Sequence, residues 1–145
     1  MPMHAADWLA VEAPDVSNRE LAEFWKGTAG RQLLAESCDS CGTVRWPPRG
    51  ICGSCHSLDT RWVPIGSKGR LFSWTVVWHT NLEVFKDHTP YAVGIIALEQ
   101  VPIRMVGHVE MEPSEVAVDM PLEVAFREVQ SGLLLPVWVE PGRTF

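Results

Sequence analysis

Several things that the sequence lacks narrow its reading. No apolar run approaches the roughly 18 residues that a helix needs to cross a bilayer, so no membrane span is expected. Basic residues are in deficit: twelve Lys and Arg stand against eighteen Asp and Glu, a formal charge of −6. A chain charged in this way does not gather polyanions by its overall field. The G-x-S-x-G elbow and the phosphate-cradling glycine loop are both missing, which removes two common catalytic signatures. The opening MPMHAADWLAVEAPD has neither a basic start nor an apolar leader core. A cytoplasmic, reducing setting is therefore expected, in which thiols bind metals rather than pair as disulfides. Internal repeats and low-complexity tracts are absent, and 145 residues fit one domain, or one with a small appendage.

Cysteine is scarce and confined. All four lie in CDSCGTVRWPPRGICGSC, as two C-x-x-C pairs: Cys38 with Cys41, and Cys52 with Cys55. A two-residue gap lets the chain turn back so that both thiolates of a pair point at one ion, the arrangement of a structural zinc site. Gly42 after the first pair and Gly53 inside the second are expected to supply the positive φ that such knuckles use. Four thiolates close the coordination sphere and leave no place for water, so one Zn2+ per chain would be structural rather than catalytic. His56 is not needed as a ligand.

Charge is uneven along the chain. Residues 38–70 carry five basic side chains (Arg45, Arg49, Arg61, Lys68, Arg70) against two acidic ones, whereas 71–145 carry four against ten. Between the knuckles, Pro47 and Pro48 enforce an extended loop and present Arg49. Tryptophan is abundant at seven residues, more than a small core easily hides, and indoles favour interfaces.

In chain order, 1–16 reads as an extended arm whose Trp8 and Leu9 could pack on a neighbour. Ser17 with Glu20 matches a capping box and is expected to start a helix with Leu21, Phe24, Trp25 and Leu33 on one face, weakened in the middle by Gly27 and Gly30. A short strand over 33–37 leads into the first knuckle. Strands are expected over 61–65, 70–80, 91–98, 103–110 and 122–129, with a GSKG turn at 66–69 and a polar loop at 81–90. Gly94 suggests a bulge. Residues 113–117 suggest one helical turn with Ser114 as cap, 132–136 an apolar loop, and 137–140 a short closing strand. The fold class is mainly β: an N-terminal helix (1–37 with its arm), a rubredoxin-like zinc ribbon (38–60) and a C-terminal five-stranded OB-fold barrel (61–145). An SH3-like barrel is the competing closure.

The combination of Phe24-Trp25, the C-x-x-C-G and PPR segments, the 66–77 strand, PYAVGIIALE at 90–99 and GLLLPVW at 132–138 resembles one family. Its members join a rubredoxin-like zinc ribbon to an OB-fold and are associated with acyl-CoA metabolism. The resemblance covers roughly 17–139. It implies a non-catalytic auxiliary subunit in a hetero-oligomer of lipid metabolism, with the catalytic residues in the partner. That partner would be a thiolase, a thiolase-like aldolase or a hot-dog-fold hydratase. On this reading Arg45, Arg49 and Lys68 would lie near CoA phosphates or the partner's acidic surface. Trp74, Trp78, Phe85 and Tyr91 would line the acyl or pantetheine side of a CoA thioester.

Other classes fit less well. His79, His88 and His108 have no carboxylate or thiol placed by spacing to make a general base. Trp74, Trp78, Phe85 and Tyr91 could stack on single-stranded nucleic acid, but the acidic barrel segment would repel its backbone. A free-standing acyl-CoA-binding module remains the second reading.

Overall fold

The computed structural model describes residues 13–130 and 132–144. The expected arm, with Trp8 and Leu9, therefore lies outside the described residues up to position 12. Helix α1 spans Ala22–Ala29, later than the capping box implies. The box does not form because its polar residues are used in turns before the helix. The Asp15 carboxylate accepts from the Ser17 N–H (2.9 Å) and hydroxyl (2.5 Å), and Asn18 Oδ1 accepts the Glu20 N–H at 2.9 Å. Gly27 also has a different purpose from the one expected. A Cβ there would lie 2.7 Å from Leu34 Cγ and 2.9 Å from the Gln32 carbonyl, so the glycine lets the helix press onto the strand that follows.

That strand, β1 (Leu34–Cys38), is the centre of a three-stranded antiparallel sheet with β2 (Val44–Arg45) and β3 (Thr60–Pro64), in the order β2-β1-β3. The remaining strands are β4 (Lys68–Val77), β5 (Tyr91–Leu98), β6 (Arg104–Val109), β7 (Pro121–Gln130) and β8 (Leu133–Val139). They close a barrel in the order β4-β5-β6-β8-β7. The β6–β8 pair is parallel and the others are antiparallel. This is the mainly β architecture expected from the sequence: one helix, a ribbon and a five-stranded OB-type barrel. Helix α2 (Glu83–Lys86) sits in the 81–90 loop, and a single 3-10 turn covers Pro113–Glu115. That turn begins on proline, and Ser114 does not cap it.

Two strand details differ from expectation. Register runs unbroken through Gly94, which pairs with Trp74, and the irregularity lies in β4 between Leu71 and Ser73, opposite Ile95 and Ile96. Gly94 faces the core, where a Cβ would sit 2.6 Å from Leu71 Cδ1 and 2.8 Å from Val109 Cγ2. Residues 133–136 are strand rather than loop, despite Pro136. The Glu110 N–H donates to the Trp138 carbonyl, so even positions of β8 turn their backbone polar groups away from β7. Pro136 is one of these, and β6 pairs with β8 only at Trp138. The missing N–H therefore breaks no ladder bond.

The core runs continuously from α1 into the barrel. Phe24, Leu33 and Ile65 join Leu71, Ile96, Leu122 and Trp138, while Trp25, Trp46 and Trp62 pack partly buried around them. Only two of the described indoles are exposed, Trp78 largely and Trp74 by about a third.

Candidate metal centre and its surroundings

The two knuckles are built alike. In the first, the Gly42 N–H donates to the Cys38 carbonyl at 2.9 Å and the Cys38 N–H to the Thr43 carbonyl at 3.0 Å. In the second, His56 donates to Cys52 and Cys52 to Ser57, both at 2.9 Å. The residue after the second cysteine takes the left-handed conformation in each, Gly42 at φ 74° and His56 at φ 63°. Gly53 does not supply it, contrary to expectation, because the reversal comes one residue after the pair rather than inside it. The local equivalence of the two loops is visible in the spacing; the use of a histidine for the left-handed position is not.

These loops bring the four sulfurs within 4.8 Å of one another. Cys38 Sγ lies 3.5 Å from Cys55 Sγ, and Cys41 Sγ 3.7 Å from Cys52 Sγ. A disulfide would bring a pair to about 2.05 Å, and all four cysteines are free. Tetrahedral Zn–S bonds of about 2.3 Å place sulfurs about 3.8 Å apart, so the donor set fits a closed tetrathiolate site. The backbone N–H groups of Cys55 and then Ser54 hold the Cys52 thiol down at about 6, and that of Cys41 lowers Cys38. The Ser57 N–H pulls Cys55 the same way but is outweighed by the sulfurs of Cys38 and Cys41, which push it up to about 12. Neighbouring thiolates repel; a divalent cation at their centre removes that conflict.

The residues between the knuckles divide in role. Arg45 Nε donates to Glu36 Oε2 at 2.9 Å and its Nη2 to the Arg49 carbonyl at 3.2 Å, with only 10% of the Arg45 side chain and 12% of the Glu36 side chain exposed. The same carboxylate oxygen accepts the Arg49 N–H at 2.9 Å. Arg45 is thus committed to holding the proline loop, while Arg49 is exposed and its guanidinium has no ion-pair partner among the described residues. Arg49 faces a groove of about 670 Å³ between ribbon and barrel, which also takes in Trp46, Ser54, Leu98 and Arg104. Among the described residues no acidic side chain lines this groove. Arg104 was missed by the sequence reading, although strand alternation places it on the outer face of β6. Lys68 is absent from the groove; it opens β4 opposite Glu123 of β7.

The aromatic set does not form one surface. Phe85 of α2 lies 6.4 Å from Tyr91, which lies 6.0 Å from the His108 ring. Tyr91, His88, His108, Glu110 and Arg143 line a polar cavity of about 450 Å³. Burial, and secondarily the Arg127 charge, lowers His108 to about 4, so it is neutral at pH 7. Glu110 is buried, and Arg127 donates to both of its carboxylate oxygens from one guanidinium edge, through Nε and Nη2. Trp74 and Trp78 lie apart on the far half of β4 and just beyond it, 37% and 62% exposed. A third cavity, apolar and about 380 Å³, lies between α1 and the barrel among Leu21, Trp25, Met105 and Trp138.

Known proteins share this arrangement. Residues 25–61 match the rubredoxin-like zinc ribbon domain of ChsH2, and 62–127 its C-terminal OB-fold domain. A DUF35 domain-containing scaffold protein of Methanocaldococcus jannaschii is 32% identical over 100 residues, covering 68% of this chain and 70% of that one. A probable enoyl-CoA hydratase alpha subunit of Thermomonospora curvata is 28% identical over 83% of this chain; the match spans only 37% of that longer protein. Among solved structures, the Ltp2-ChsH2(DUF35) aldolase superposes with a TM-score of 0.78 at 29% identity, covering 88% of this chain and 98% of that one. A Sulfolobus solfataricus DUF35 protein shares the fold at 17% identity, with a TM-score of 0.60.

Proposed function

The chain belongs to the DUF35 family, with a zinc ribbon and OB-fold of ChsH2 type, and from that premise we propose that it is a non-catalytic subunit of an acyl-CoA thiolase or thiolase-like aldolase. It would stabilise the catalytic partner and help hold the CoA thioester. The observation that carries this reading is the likeness to the Ltp2-ChsH2(DUF35) aldolase over nearly the whole of the matched chain. The chemistry of the sequence agrees. Its only cysteines are gathered at one point, and the half-buried His108, on the face of β6 away from the barrel core, is held neutral at pH 7.

In this proposal Cys38, Cys41, Cys52 and Cys55 hold one structural Zn2+ in the cytoplasm and keep the proline loop beside the barrel. The groove with Arg49 and Arg104 offers two guanidinium groups without a carboxylate partner among the described residues, in a lining of mixed polarity, a setting suited to the phosphates of CoA. The relative named as a hydratase alpha subunit favours one alternative partner, an enoyl-CoA hydratase. Co-expression of the chain with a thiolase-like protein of its source organism, and assay of that enzyme with and without it, tests the proposal. Equal activity and stability of the enzyme alone would remove its basis. Calorimetry of the isolated chain with acyl-CoAs distinguishes a free-standing binding module.

A further inference from the structure

Strand β4 is paired on both sides for only part of its length. β7 pairs with Lys68, Gly69 and Arg70 and goes no further, whereas β5 pairs with β4 as far as Val77. The last bonds on the outer side are at Leu71, whose N–H donates to Met120 and whose carbonyl accepts from Asp119. Beyond it, the direction of each backbone group follows from the ladder. The Leu98 N–H donates to Ile103, so even positions of β5 face β6 and odd positions face β4. Tyr91, Val93 and Ile95 stand opposite Val77, Thr75 and Ser73, which therefore bond to β5. Trp74 and Val76 turn their N–H and C=O groups the other way, where no strand lies among the described residues.

Among the described residues this edge lacks the usual protection. Natural sheets blunt free edges with charge, proline or a covering segment. β8 follows that rule, carrying Pro136 where it lacks a neighbour. The 72–77 segment, FSWTVV, holds no charge and no proline, and it is rich in residues that pair readily as strand. Its apolar side chains are left in water: Phe72 is 49% exposed, Trp74 37%, and Trp78 just beyond it 62%. An uncharged edge with outward-aimed backbone groups and exposed indoles has the chemistry of a strand-addition site.

We propose that the outer edge of β4 from Phe72 to Val77 receives an extended segment of the catalytic partner subunit as an added strand. This rests on the auxiliary-subunit reading and names the surface through which it acts. Backbone bonds at Trp74 and Val76 set the register. The partner segment carries apolar side chains at alternate positions, to cover Trp74 and Val76, and no charge opposite the uncharged run.

Residue-resolved hydrogen exchange on the full chain, alone and co-expressed with the thiolase-like protein, tests this directly. The amides of Ser73, Thr75 and Val77 are bonded to β5 and exchange slowly in both states. Those of Trp74 and Val76 exchange fast in the free chain and slow by about 100-fold in the complex. A Val76→Pro variant leaves the β5 ladder intact, because the N–H it removes points outward, and weakens the complex by roughly 10- to 100-fold through an unpaired partner carbonyl. Unchanged exchange at Trp74 and Val76 in a formed complex overturns the edge proposal and leaves the auxiliary-subunit reading standing. The same protection in a homodimer of the free chain overturns the choice of partner. Failure of the wild-type chain to bind any thiolase-like protein overturns both.

Discussion

Glu36 Oε2 accepts both the Nε–H of Arg45 and the backbone N–H of Arg49, each at 2.9 Å. One oxygen on β1 therefore fixes both the strand that returns from the first knuckle and the loop that follows it.

Removing that acceptor strands a cation. Arg45 and Glu36 are both nearly closed to water, so Glu36→Ala leaves an uncompensated buried charge and costs roughly 3–5 kcal/mol. Arg49→Ala deletes an exposed side chain and stays within about 0.5 kcal/mol of the parent. Denaturant unfolding of both variants checks the contrast. Equal stabilities would mean that the pair does not organise the loop.

The two outcomes also mark what can be read from the chain without its fold. The metal knuckles and the barrel strands carry local signals, in cysteine spacing and alternation, and both emerge from residues alone. Whether an arginine on a loop is offered to a ligand or consumed by the protein depends on a partner distant in sequence. Arg45 and Arg49 look equivalent until Glu36 is placed between them. Gly94 was similarly ambiguous: a glycine within a strand signals either a bulge or a close approach, and only the position of Leu71 decides. Pro136 obscured a strand because the direction of its missing N–H follows from which neighbours β8 has.

Metal removal acts on the ribbon first. One zinc per chain is expected, lost on chelation or in Cys52→Ser together with the order of 38–60. Protons compete with the ion for the thiolates, so loading weakens as pH falls. Elemental analysis, with circular dichroism before and after chelation, measures this. A chain without metal that kept the same spectrum and melting point would contradict a structural ion.

The close approaches in the barrel are sensitive to a single methyl group. A Cβ on residue 107 would lie 2.6 Å from Trp138 Cδ1, and one on residue 94 would lie 2.6 Å from Leu71 Cδ1. Gly107→Ala and Gly94→Ala each cost about 1–3 kcal/mol by overpacking. Gly50→Ala, with nothing within 4 Å, is the neutral control in a thermal melt.

Acid weakens the barrel through His108. Its folded value of about 4 lies below the unfolded value of about 6.5. Between those values the unfolded chain binds more protons, so stability falls as pH drops from 6.5 toward 4 and is flat above. The loss attributable to this group is on the order of 3 kcal/mol. His108→Gln flattens that limb of the stability profile; a limb of the same slope in the variant would assign it to other groups.

The ribbon–barrel groove separates Arg49 from Lys68, with which the sequence grouped it, and sets Arg104 beside it instead. Arg49 and Arg104 line it with no acid among the described residues, and Lys68 does not. If CoA phosphates lie there, each of Arg49→Ala and Arg104→Ala removes a charge-assisted bond worth about 1.5–3 kcal/mol. The apparent KM of the assembled enzyme for its CoA thioester then rises roughly 10- to 100-fold. Arg104 also stacks 3.7 Å over the Phe72 ring, so its loss lowers stability slightly, whereas Arg49→Ala reads binding alone. On the auxiliary-subunit proposal the reacting groups belong to the partner, so kcat stays near the parent value in both. The affinity lost should also shrink the salt dependence of KM, since one fewer ion pair is formed. Lys68→Ala leaves KM unchanged. A fall in kcat with KM constant would point instead to a disturbed interface, and a Lys68→Ala defect equal to that of Arg49→Ala would move the phosphate site out of the groove.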